Sequence, residues 1–229
     1  MKSKVYFVRH GETVFNRDFK HLVGGRSAHT PLTGFGEVQA VANGYLLSEM
    51  GVSPVEAVSS KAVRASETAR LSLSAAGIRL PVHEDDGFAE LTKGECEGKP
   101  KFEIYTPEIA QAIIDLGLDF SFRDLGGESE REVGERMHIT VLERLATFNI
   151  TPDTAIDTIV YSHGTSIACL AARQEGWNHE ELARCSHDML NGSTSIFSFT
   201  NGVLQLEELN ITSFGSITIP QSAHSNNLM

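Results

Sequence analysis

The strongest constraint on this chain is the placing of its short, β-prone apolar runs. Val5-Tyr6-Phe7-Val8 is apolar without a break, as a strand is when both faces are covered in a parallel sheet. Residues 55–60 read as a short strand and 158–161 as another apolar one, and 80–83 reads as a brief strand before the acidic turn Glu84-Asp85-Asp86. Helical stretches alternate with them. Residues 34–50 carry apolar Val38, Val41, Tyr45 and Leu46; residues 61–75 end near Gly77; residues 166–174 follow the third long run. Ser129 and Glu132 form a capping box, and Val133, Met137, Val141, Leu145 and Phe148 recur behind it along one helical stripe. Strands alternating with helices predict an α/β fold. It is a three-layer sandwich with a mostly parallel central sheet and helices on both faces.

Near the C-terminus, residues 194–199 and 203–209 flank Asn201-Gly202, the strongest short hairpin signal, which adds an antiparallel edge. Residues 94–127 break the alternation. They hold glycines, two prolines and one plausible helix at 106–116, and read as a cap inserted into a single domain spanning 1–229. Pro152 falls in a loop, and the tail after about residue 215 is polar and expected to fray. No period of 20–50 residues repeats, so a solenoid is excluded.

Ligands of parallel sheets bind beyond the carboxyl ends of the strands. Arg9-His10-Gly11-Glu12-Thr13 follows the first run, Arg64 falls in the first helical turn after the second, Glu90 follows the region of Val82, and His163-Gly164-Thr165 follows the last. Two imidazoles, two guanidiniums and one carboxyl are thus expected on one edge. They stand out because the chain as a whole is acidic, with 19 Lys and Arg against 30 Asp and Glu and a net charge of −11. That balance argues against nucleic acid and anionic membranes as partners and leaves room for a small anion held in a local positive pocket.

A phosphate monoester suits such a set. Two guanidinium forks hold its oxygens. A neutral imidazole, kept neutral by the neighbouring cations, can attack phosphorus. A carboxyl group can protonate the departing oxygen and then activate water. Phosphoryl transfer is mostly positioning and charge stabilisation, so the set suffices without a metal.

Arg9-His10-Gly11-Glu12-Thr13-Val14-Phe15-Asn16 resembles the signature of the histidine phosphatase superfamily, in its phosphoglycerate mutase-like branch. Pro31-Leu32-Thr33 with Gly36 and Gln39-Ala40, Ser60 with Arg64-Ala65 and Thr68-Ala69, Glu90-Leu91 with Gly94, Glu97 and Gly98, Gly127-Glu128-Ser129, and Ser162-His163-Gly164 follow in the family's order. The resemblance covers about residues 4–200. It implies that His10 becomes phosphohistidine, that Arg9, Arg64 and His163 bind the transferring group, and that Glu90 is acid and then base. Asn16 and Gly24 are implied at the phosphate pocket. It implies no metal and no cofactor, and a small phosphorylated substrate.

Three departures stand out. His29 replaces the Asp many relatives carry before Pro-Leu-Thr. Cys96 replaces an aromatic residue and is expected to alter the pocket wall. The Tyr-Gly-containing insert of glycolytic mutases is missing after Glu90, which favours phosphatase over mutase. Mutase-type transfer and non-catalytic phospho-ligand binding are the rival readings, and oligomeric state stays open. Cys96, Cys169 and Cys185 make no disulfide framework, and Met1-Lys2-Ser3-Lys4 before four apolar residues is too short a signal peptide, so the cytoplasm is expected. The remaining histidines, including His21, His83, His138, His179, His187 and His224, show no partner pattern.

Overall fold

The structure is a computed structural model and describes residues 2–148 and 155–212; Pro152, His224 and the tail after residue 215 lie outside them. The first strand, β1 (Ser3–Arg9), is the apolar run met first in the sequence. After it come α1 (Val14–Asp18), α2 (Gly34–Glu49), β2 (Pro54–Ser59), α3 (Val63–Ala75) and β3 (Val82–Glu84). Residues 94–127 carry α4 (Lys101–Ile104) and α5 (Pro107–Leu116). Then come α6 (Glu130–Ala146), β4 (Asp157–Ser162), α7 (Gly164–Glu175), α8 (His179–Asp188), β5 (Thr194–Thr200) and β6 (Val203–Ile211). The sheet order is β3-β2-β4-β1-β5-β6. The first four are mutually parallel; β5 and β6 are antiparallel and joined through Asn201-Gly202, both with positive φ as the hairpin signal requires.

Period-two alternation explains the three layers. Val5 and Phe7 face a core built with Phe88, Val133, Met137, Ile167 and Leu170, under α6 and α7. Tyr6 and Val8 face the other core, with Leu47, Leu73, Ile159 and Tyr161, under α2 and α3. Tyr161 donates from its hydroxyl to Ser72 at 3.0 Å, Ser72 donates to Asn43 at 2.8 Å, and Asn43 donates to the Gly192 carbonyl and the Thr194 hydroxyl. This buried polar chain fastens α2, α3, β4 and the turn before β5 together with every member paired.

α2 is where the sequence misleads. Val38 and Tyr45, which mark it in the sequence, are exposed at 55 % and 59 %. The buried face is made of Gly36, Ala40, Asn43, Gly44, Leu46 and Leu47; Gly44 lies against the backbone of α3 and Gly36 against the backbone of Glu12, with no room for a side chain at either. A Cβ on Gly44 would overlap the Ser72 carbonyl oxygen. Gly44→Ala gains about 1 kcal/mol of helix propensity but overpacks at a cost of about 1–3 kcal/mol. We expect net destabilisation, read as a lower urea midpoint at unchanged m-value; a raised midpoint would show that the two helices can part.

Ser129 accepts from the Glu132 amide and Glu132 accepts from the Ser129 amide, so the capping box opens α6 as expected; the helix stops at Ala146, before Phe148. The two ends of the 94–127 segment are brought together by the antiparallel bridge Lys93↔Gly127. Gly94 has φ +56°, and a Cβ there would overlap the Leu125 carbonyl, so both conformation and space demand glycine at this position. α5 is capped by Thr106 with Pro107 at its first position, close to the expected helix, and three 3-10 turns complete the segment. Asp85 and Asp86 are bound by Arg144 and Lys61. Among the described residues no helix is long and apolar enough to cross a membrane.

Candidate active site

Each expected residue lies at the carboxyl end of a parallel strand or in the segment leaving it. His10 follows β1, Arg64 is in the first turn of α3 after β2, Glu90 follows the 3-10 turn (Asp86–Phe88) after β3, and His163 caps α7 after β4. The sheet order brings all four to one place. His10 is 4 % exposed, Arg64 5 % and His163 1 %.

The His10 ring is fixed from both sides. Its Nδ1 lies 2.7 Å from the Gly11 carbonyl oxygen, which requires a proton on Nδ1. Its Nε2 accepts from Arg64 Nε at 3.1 Å, which requires a lone pair there. Both contacts are met by one neutral tautomer. The Arg64 guanidinium is clamped by the backbone carbonyls of Ser27 and Gly25, and Arg9 by the carbonyl of Met189. Met189 O is 180 residues along the chain from Arg9. His163 packs edge-on to His10, with ring centroids 5.2 Å apart, and its Nε2 lies 2.7 Å from the Ser60 hydroxyl.

Glu90 sits at the amino end of α7. Its Oε1 accepts from the Leu91 amide, the Ser166 amide and the Ser166 hydroxyl, at 2.9, 3.1 and 2.9 Å. Its Oε2 has only the Thr165 amide, at 3.4 Å, and so keeps acceptor capacity. Asn16 completes a capping box with Thr13 through its Oδ1, which leaves its amide nitrogen to the cleft. Arg9, His10, Asn16, Gly24, Arg64 and Glu90 all line one cavity of about 440 Å³; His163 lies against His10 rather than on its wall.

Among the described residues, Arg9 Nε and His163 Nδ1 are buried without a partner. Such groups are costly in a folded protein. Here both belong to the expected anion-binding set, and an anion would satisfy a guanidinium N–H directly. Among the described residues no three His, Cys, Asp or Glu side chains lie close enough to hold a metal ion.

Sequence reasoning missed three things. The carbonyl clamps on Arg9 and Arg64 and the amide cradle of Glu90 are backbone groups, which carry no residue signal. Lys93, Thr165 and Ser186 also line the cavity. Cys96 is 1 % exposed and absent from the cavity wall, so the expectation that it alters the wall is corrected: it is buried in the 3-10 turn at 94–96. His29 is exposed, and its loop is held by Glu67 on the Leu32 amide, Ala28 on the Val63 amide and a Ser27–Thr30 contact.

Burial, then the Arg64 and Arg9 charges, hold the His10 imidazole well below the ordinary histidine value; the His10–Gly11 contact only partly opposes this. Burial, with Arg64 next, does the same to His163. Both rings stay neutral in the folded protein while the unfolded chain protonates from about pH 6.5 downward. Stability is therefore lost as pH falls below that point, until the folded rings themselves take up protons. Two groups give a slope of about 2.7 kcal/mol per pH unit at most. We expect the urea midpoint to fall between pH 7 and pH 5.5, and the fall to lessen in His163→Gln; an equal fall in that variant would show that His163 contributes nothing to it.

The model of the histidine phosphatase superfamily (branch 1) matches residues 5–212. The "Probable phosphoglycerate mutase GpmB" of Salmonella paratyphi A is 31% identical over 172 residues, covering 74% of this chain and 73% of that protein. The like-named protein of Yersinia enterocolitica is 31% identical over 169 residues, covering 73% and 72%. Among solved structures, a mycobacterial glucosyl-3-phosphoglycerate phosphatase in complex with VO3 superposes with TM-score 0.73 at 25% identity, over 92% of this chain and 100% of that one. The alpha-ribazole phosphatase of Shigella flexneri gives TM-score 0.70 at 26% identity, over 91% and 96%. The strand order, the cleft residues and the family match agree, and the chain belongs to branch 1 of the histidine phosphatase superfamily.

Proposed function

We propose that this protein hydrolyses phosphomonoesters of a small metabolite through a phosphohistidine on His10, without a metal ion. The observation that carries the reading is the His10 ring itself. It is buried, neutral and locked in the tautomer whose Nε2 lone pair is free of a proton and held by Arg64. In the first step Arg64 Nε passes from His10 Nε2 to a phosphoryl oxygen, the freed Nε2 attacks phosphorus, the bond from phosphorus to the ester oxygen breaks, and protonated Glu90 gives its proton to that oxygen. In the second, Glu90 takes a proton from water, the water oxygen attacks phosphorus, and the P–N bond breaks. Inorganic phosphate leaves and His10 is neutral again. Arg9 and Arg64 supply the charge a metal would otherwise supply, with Asn16 and Gly24 on the pocket wall and His163 packed against His10.

Likeness to two phosphatases supports hydrolysis. The relatives named phosphoglycerate mutase support the second reading, in which the phosphoryl group returns to substrate. One assay set separates them. We expect release of inorganic phosphate from an aryl phosphate in excess EDTA, with a transient enzyme label that survives alkali and is lost in acid. A strict need for added metal, or an acid-stable label, would overturn the proposal. Interconversion of 2- and 3-phosphoglycerate faster than phosphate release, dependent on a bisphosphate primer, would establish the mutase reading.

A further inference from the structure

A second cavity, of about 170 Å³, abuts the cleft across Leu91 and Lys93, which line both. Its far wall is aromatic: Tyr105, Phe120 and Phe122 of the 94–127 segment meet edge to face, with Tyr105–Phe122 centroids 6.1 Å apart and Phe120–Phe122 centroids 5.1 Å apart. None of the three is fully buried. Three packed rings thus keep part of their surface turned to an open space beside the chemistry.

From this geometry we infer that the alcohol portion of the substrate carries one uncharged ring, and that this aromatic pocket receives it. The inference rests on the hydrolase reading above, because that reading fixes where the alcohol goes. If Glu90 protonates the departing oxygen, the alcohol lies on the Glu90 side of phosphorus, and the next residue on the wall is Leu91.

Size sets the ring count. An apolar cavity of about 150 Å³ takes up benzene, so this one admits a single six-membered ring. Charge sets the rest. Glu128 and Glu130 stand at the pocket, Glu128 held by Arg26 and Arg136 and Glu130 by His179. Arg26 and Arg136 are committed to Glu128, so Lys93 is the one ammonium or guanidinium in the pocket lining left to meet a second phosphate. Among the described residues no carboxylate lies within ion-pair distance of the Lys93 ammonium, whose flexible stem can swing from the doorway and cover an apolar guest. The pocket therefore favours a monophosphate of a neutral, ring-bearing alcohol over a compact polyanion.

The test compares ethyl phosphate with 2-phenylethyl phosphate, whose alcohols leave with similar ease. Burying one ring is worth about tenfold or more in kcat/KM, and we expect that preference in the native protein. It should collapse in Phe120→Ala and in Phe122→Leu, the second keeping the segment packed, while ethyl phosphate turnover is unchanged. Equal kcat/KM for the two esters in the native protein, or a preference that survives both substitutions, would overturn the inference. Calorimetry with ethylphosphonate and 2-phenylethylphosphonate gives a readout without turnover. Ring-dependent phosphonate binding with no phosphate released from any ester supports the pocket and sinks the hydrolase reading. Ring-independent binding beside normal phosphate release does the reverse.

Discussion

His10→Ala is expected to fold and to release phosphate about 10⁴- to 10⁶-fold more slowly than the native protein, the usual consequence of deleting a covalent nucleophile. His163 is not placed to take over the attack: it stands 5.2 Å away between ring centroids and off the cavity wall, and its Nε2 is engaged by Ser60. Glu90 can still draw a proton from water, which sets the residual rate rather than rescuing it. Folding should survive because β1 is anchored on both sides, by β4 and β5, independently of the ring. The substitution also leaves a ring-sized void beside Arg64. Free imidazole should occupy that void, attack the ester and restore part of the lost rate, whereas a variant dead from misfolding would not respond. Retention of more than about one per cent of native turnover would place the nucleophile elsewhere.

How far this arrangement could be read from the sequence depends on the kind of atom involved. His10, Arg64, Glu90 and His163 were legible because each follows a β-prone segment and parallel topology sends such positions to one edge. Helix α5 was legible through Thr106 and Pro107, and the α6 boundary through Ser129 and Glu132. Helix α8 was missed although Asn178 and Glu181 spell a capping box, because Leu182 alone is buried and no apolar stripe draws attention to it. The buried face of α2 was misjudged because close backbone approach selects Gly36, against Glu12, and Gly44, against α3, and leaves Val38 and Tyr45 on the outer face. The carbonyls that aim the two arginines were beyond reach for a different reason. Ser27, Gly25 and Met189 act through backbone atoms that any residue would provide. The aromatic pocket was likewise hidden, since Phe120 and Phe122 lie between 3-10 turns with no periodicity to relate them to Tyr105.

Glu90→Gln should divide the two chemical steps according to the acidity of the leaving group. For an alkyl ester the departing oxygen needs a proton, so the first step slows by about 10²- to 10⁴-fold, the usual worth of a positioned acid. For 4-nitrophenyl phosphate the phenolate leaves without one, and transfer to His10 should be nearly spared. The second step has no such escape, because water attacking the P–N bond must still lose a proton and glutamine cannot take it. The aryl substrate should therefore give a burst of one nitrophenolate per active site, followed by slow turnover, with labelled enzyme accumulating. Glutamine suits the comparison structurally: its carbonyl oxygen can keep the Leu91 and Ser166 hydrogen bonds that Oε1 accepts, and the atom it alters is Oε2, which holds only the long Thr165 contact. An equal loss on alkyl and aryl esters, with neither burst nor labelled enzyme, would mean that Glu90 acts by holding the amino end of α7 rather than by moving protons. The proton-transfer role and the scaffold role are thereby read from one variant, by the shape of its time course.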